Sequence, residues 1–365
     1  MKKNTLSLLV ILSAFLYSCG EKSVIDPNLT IKRQVIILNQ GNYTEQNSSV
    51  YVYDEDSKTM KPNAFSSANG GTKLGATLMS GTFSSAGTGY LLCSNPDKIE
   101  VIDIISLKTL SKPITDGLSN VREVTGAGQF LFVTNAGTEY KVLPDGSYEY
   151  TNSFVSAYSV TNNVFMESLP LGSDAQGMAY MDGKLYVGTK AGIAIVSREG
   201  NKLKLDNVYQ DEEYTGGVKY LCALNDKIYA SVPGCGIFEY DPYKGVTTKR
   251  YQIPMDSNAY IMTGPDNKIY SFATIYNTTD WSVESSNVYM LSTSSGEVKE
   301  MITGEYIYGI GVSPFTGNIF AAEANGFSTN SSIKIVSPVS GLVGVETAGV
   351  GTCRFMFVSY LEQKN

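Results

Sequence analysis

A short apolar strand behind a tight turn recurs seven times along this chain, every 40–55 residues, and no other feature narrows the possible folds as far. The copies read QVIILNQ from Gln34, GYLLCSN from Gly89, QFLFVTN from Gln129, KLYVGTK from Lys184, KIYASVP from Lys227, KIYSFAT from Lys268 and NIFAAEA from Asn318. Turn signatures stand before several of them: MDG before Lys184, LND before Lys227, GPDN before Lys268. Such turns join neighbouring antiparallel strands. A second strand follows each copy, as in SVYVYDED, KIEVIDIIS or GIAIVSRE, and then a less regular one such as TMKPNAF, KTLSKPI or VFMESLPL. An apolar strand also precedes every hairpin except the first: TLMSGTF, VREVTGA, GMAYM, VKYLCAL, AYIMTG and IYGIGV. The period is therefore four strands, which predicts an all-β, seven-bladed β-propeller. The first blade lacks an inner strand and the C-terminus has one to spare, CRFMFVSY from Cys353 to Tyr360. Setting that strand inside the first blade closes the ring and pairs an edge that would otherwise stay open.

Composition removes whole classes of chemistry. The chain has 0 histidines, which excludes Ser-His-Asp and Cys-His nucleophiles, imidazole-held zinc or copper, and haem on a proximal imidazole. A formal charge of −7 argues against nucleic acid as a partner. GxGxxG and GxxxxGK[ST] loops and CxxC pairs are absent, so neither a cofactor nor a metal is expected. Many of the 35 glycines are expected in turns.

The N-terminus points to export. Lys2 and Lys3 precede the apolar run Leu6–Leu16, which at about eleven residues is too short to span a bilayer and has the form of a signal segment. Ser18-Cys19 then resembles a bacterial lipoprotein cleavage box, with Cys19 as the acylated residue. Several acyl chains on one residue anchor a protein stably, so lipid is the expected membrane contact. The expected layout is a signal peptide over 1–18, a lipidated stalk over 19–30, the propeller over 31–360 and a tail over 361–365. Four cysteines remain, Cys93, Cys222, Cys235 and Cys353. Three sit in or beside apolar strands as small buried hydrophobes would; a disulfide stays open, with Cys222–Cys235 the nearest pair in sequence.

The stretch ILNQGNYTEQNSSVYVYDEDSKT, with hairpins of the form AYMDGKLYVGTKAGIAIVS, resembles the exported seven-bladed propeller lipoproteins of Bacteroidota. These include surface-exposed vitamin B12-binding propellers and related surface-layer-like proteins. The resemblance spans about Ile31 to Tyr360. It implies an outer-membrane lipoprotein facing the cell exterior, a small-molecule ligand with a corrinoid foremost, and a TonB-dependent transporter as partner. Without histidine, a corrinoid would be held by packing and hydrogen bonds alone.

Candidate binding residues come from the loops at the end of the propeller where the inner strands begin. These are long in blades one, three, six and seven, and loop length that adds nothing to a core suggests function. They carry Tyr43, Tyr140, Tyr148, Tyr150, Tyr276, Trp281 and Phe327, interleaved with Asn42, Asn135, Asn277 and Asn325. Aromatic faces beside amides suit a large amphipathic molecule, while any one tyrosine could instead staple its own loop. The connections between blades add Arg122, Tyr214, Tyr306 and Arg354. The two arginines begin inner strands, where they either satisfy channel carbonyls or bind a ligand phosphate or carboxylate.

Three functions remain open. The leading one is ligand capture for uptake, without catalysis. A peptide- or glycan-binding surface scaffold is the second, and a hydrolase or lyase working through loop carboxylates such as Glu45, Asp145, Glu149, Asp280, Glu284 and Glu323 is the third.

Overall fold

The computed structural model describes residues 28–144, 146–200, 202–277, 279–280 and 282–363. The signal segment, Cys19 and Trp281 therefore lie outside the described residues. The chain is a seven-bladed all-β propeller of antiparallel sheets. The inner strands are Thr77–Phe83, Val121–Ala127, Met178–Met181, Leu221–Leu224, Ile261–Gly264 and Ile307–Val312, with Thr352–Gln363 completing blade one. Each packs against the next around the ring.

Closure takes the expected form. Thr352–Gln363 runs antiparallel to Leu29–Asn39, with Leu38 opposite Arg354 and Leu29 opposite Gln363. Pairing thus begins within the expected stalk and runs on into the expected tail, because each extra residue satisfies a backbone group that the open edge would leave bare.

Burial explains the strand order. The second strands are buried on both faces, as in Lys184–Thr189 and Ile319–Glu323, because each blade is covered by a neighbour on either side. Outer strands such as Lys202–Tyr209 are largely exposed and carry more polar residues. The apolar side chains gather into seven clusters, one at each contact between successive blades. Blade seven meets blade one with little room: a Cβ on Gly309 would lie 2.7 Å from the Thr352 carbonyl oxygen.

Two outer strands depart from the expectation. TMKPNAF yields only the short strand Thr59–Lys61; Asn63 turns to positive φ and a one-turn helix, Ala64–Ala68, follows. Burial of Ala64 and Phe65 in the cluster between blades one and two outweighs the strand pairing. In blade two, KTLSKPI contributes isolated bridges from Thr109 and Ile114; Leu107 lies at positive φ and Pro113 lacks a donor. All four described cysteines are free. Burial pushes Cys93 up to about 12 and Cys353 up to about 11. No helix among the described residues is long and apolar enough to cross a membrane.

Candidate functional site

Inner strands run from the upper face downwards, so the residues at their beginnings ring the channel mouth. A cavity of ≈ 160 Å³ lies within this ring, lined by Gln40, Glu123, Tyr260, Tyr308 and Arg354 among others. A wider cavity of ≈ 300 Å³ opens above it, lined by Tyr148, Tyr150, Asp174 and Lys219. The two share Arg122, Gln176, Tyr220 and Asn258 and so form one funnel.

Arg354 closes the bottom of the funnel. Its guanidinium donates to the Glu123 carboxylate at 3.3 Å, to the Tyr220 hydroxyl at 2.8 Å and to the Cys353 carbonyl at 3.0 Å. It also sits 4.2 Å from the centre of the Tyr260 ring. Glu123 accepts a further hydrogen bond from the Ser80 hydroxyl. Burial opposes the charge on Arg354, but Tyr220 and Glu123 hold it firmly protonated. Below this plug a separate cavity of ≈ 340 Å³ runs down the channel, sharing Glu123, Tyr220 and Tyr260 with the one above.

Arg122 has quite different surroundings. Its guanidinium lies 5.1 Å from the Tyr150 ring, and it forms no ion pair with any described residue. Its Nε is buried with no hydrogen-bond partner, as is that of Arg354. Nearby, Lys219 is shared with Asp174 at 3.5 Å, and Asp174 also accepts from the Gln176 amide at 2.8 Å.

The long loop of blade three folds into its own hairpin, Tyr140–Val142 against Tyr148–Tyr150. Tyr140 packs edge-on to Tyr148 and Tyr150, at 5.0 and 6.0 Å between ring centres. Tyr148 and Tyr150 thereby line the funnel, with Tyr140 behind them.

No protein-family model and no curated protein matches the chain. Solved structures match the fold. A 6-phosphogluconolactonase-like protein from Bacteroides fragilis superposes with a TM-score of 0.59 at 9% identity, over 90% of this chain and 98% of that one. A quinoprotein alcohol dehydrogenase-like protein from Bacteroides thetaiotaomicron gives 0.58 at 14%, over 90% and 78%. Apo AztD from Citrobacter koseri gives 0.56 at 9%, over 92% and 100%. At such identities the likeness is one of fold alone.

The remaining expected residues divide by location. Tyr276, Tyr306 and Phe327 form an aromatic cluster on the upper face. Phe327 packs edge-on to Tyr308 at 4.7 Å and to Tyr306 at 6.4 Å. Burial, together with its bond to Tyr306, raises the pKa of Tyr276. The cluster reaches the funnel only through Tyr308, whose hydroxyl donates to Gln40. Tyr43 is exposed on its loop, outside the funnel. Tyr214 departs from its expected place at the mouth. It is buried among blades four and five, edge-on to Phe238 at 5.1 Å, because its ring fills the gap between those blades. The loop amides close their own turns: Asn42 accepts from the Thr44 and Glu45 amides, and Asn277 from that of Thr279. Buried Asn135 bonds to Ser119 and Ser156.

Sequence reasoning missed Glu123, Lys219, Tyr220, Asn258, Tyr260 and Tyr308. A signal was present, since each lies in or within three residues of an inner strand. In EEYTGGVKYLCAL the position abutting the strand, Tyr220, reaches the channel and the more distant Tyr214 does not.

Proposed function

We propose that this chain is a surface ligand-capture protein and not an enzyme. The funnel is the observation that carries the reading: a preformed concavity walled by aromatic rings and amides and floored by the Arg354–Glu123 plug, the form that small-molecule sites take. The two carboxylates lining it support binding over hydrolysis, because Asp174 is engaged by Lys219 and Gln176, and Glu123 by Arg354 and Ser80. The expected acylation site, Cys19, makes it a lipid-tethered protein of the outer membrane. Such a tether would join the propeller at Leu29, at the far end of blade one from the funnel. A corrinoid is the foremost ligand, through the family resemblance, and a TonB-dependent outer-membrane transporter is the partner that resemblance implies.

Calorimetric titration of the full chain with cyanocobalamin and with cobinamide tests this. Saturable one-to-one binding is expected, weakened about thirtyfold by joint Tyr148→Ala and Tyr150→Ala replacement, on the scale of one aromatic anchor. Lys190→Ala, on the minimal loop of blade four, serves as control. Absence of binding by both corrinoids would remove them as ligands, and equal affinity in the tyrosine variant would move the site off the funnel.

A further inference from the structure

We propose that the funnel selects ligands bearing an oxyanion, a carboxylate or a phosphate, and that Arg122 is the residue that selects them. The inference rests on the reading of the funnel as a binding site and names the chemistry it recognises. Both arginines of the funnel begin inner strands, yet only one has its charge answered. Arg354 is matched by Glu123, and Lys219 is matched by Asp174. Among the charged side chains lining the two cavities, this leaves Arg122 as the unmatched one. A local positive charge inside a protein of net charge −7 is a specific placement, not a reflection of composition.

The geometry of Arg122 suits an oxyanion. Its Nε, like that of Arg354, is shielded from water without a partner. Arg354, however, directs its other donors to Glu123, Tyr220 and Cys353, whereas the Arg122 donors have no described partner, and donors left unsatisfied are costly until a ligand supplies an acceptor. The Tyr150 ring, 5.1 Å away, backs the guanidinium and limits its orientations. A planar fork held in this way matches the two oxygens of a carboxylate or phosphate. Tyr148 and Asn258, on the walls of the same cavity, remain for the uncharged body of the ligand.

Phenyl phosphate, benzoate, inorganic phosphate and neutral benzyl alcohol are suitable probes. Each is titrated by ligand-observed NMR into the full chain, its Arg122→Gln and Arg122→Lys variants, and a Lys190→Gln control. At least one aromatic anion is expected to bind about tenfold tighter than benzyl alcohol, the size of one charge-assisted contact. Arg122→Gln should erase that margin while leaving benzyl alcohol within about twofold of the parent, and Arg122→Lys should keep only part of it. The stronger of phenyl phosphate and benzoate tells which oxyanion the site prefers, and inorganic phosphate shows whether the anion binds without a ring. Equal binding of anions and benzyl alcohol, or a margin surviving in Arg122→Gln, overturns the anion subsite and leaves the capture reading standing. A full chain that binds none of the probes overturns the subsite, and with blank corrinoid titrations it overturns corrinoid capture as well. Circular dichroism confirms the fold of each variant, and Arg122→Lys carries the comparison if Arg122→Gln does not fold.

Discussion

Replacing Glu123 by glutamine asks whether the channel plug is held by charge or by shape. The carboxylate lies 3.3 Å from the Arg354 guanidinium, and the two side chains are only 14% and 15% exposed. At an effective dielectric constant of about 20 the direct attraction is about 5 kcal/mol, much of it offset by taking both groups out of water. Removing one member of a buried pair outright costs about 3–5 kcal/mol, because the other charge is stranded. Glutamine keeps one acceptor oxygen for Arg354 and turns its amide nitrogen to Ser80, whose hydroxyl can accept, and Arg354 keeps Tyr220 and the face of Tyr260. The expected loss is therefore about 1–3 kcal/mol. Urea unfolding at neutral pH measures it without the ionic screening that guanidinium would add. Arg354→Met and the double variant complete a cycle, in which a coupling of about 1–3 kcal/mol is expected. Single effects that add to within about 0.5 kcal/mol would refute the reasoning, since they would mean that each group is solvated independently.

Two further predictions concern the seam between blades seven and one. Gly309→Ala should cost about 1–3 kcal/mol by urea midpoint, because the new methyl meets Thr352 and Cys353 backbone at 2.7–2.8 Å; an unchanged midpoint would mean that the seam yields freely. Glu55 spans the same seam, accepting from Ser313 and Thr316 hydroxyls at 2.9 and 2.8 Å, and burial raises its carboxyl above its ordinary value of 4.5 despite those bonds. A carboxyl raised on folding stabilises below its unfolded value and loses that contribution as pH rises through its folded value. Glu55→Gln should therefore be more stable than the parent at neutral pH, the gap narrowing as pH falls through the raised folded value towards 4.5; a gap independent of pH in thermal melts would contradict this.

The plug also gives the molecule a direction. It lies between the funnel and the lower channel, so Arg354 forms a floor to the funnel and not a passage. Leu29 lies at the opposite end of blade one from that floor.

Sequence alone determined the architecture, because strand periodicity and turn chemistry are local. KLYVGTK after Asp182-Gly183 announces its hairpin without reference to the rest of the chain. The unpaired CRFMFVSY fixed the manner of closure by counting, since an edge without a partner has one place to go. Local chemistry could not distinguish the two arginines. Arg122 and Arg354 occupy like positions, and what separates them is Glu123, 231 residues from Arg354 in sequence and in contact with it only across the closed ring. Adjacent to Arg122 in the chain, Glu123 nevertheless gives its charge to the more distant arginine. Tyr214 and Tyr220 divide for a similar reason: the stacking of blades four and five buries one ring, and the start of an inner strand delivers the other to the channel. Pairing of charges and burial of rings depend on which blades become neighbours, and that is settled only when the ring closes.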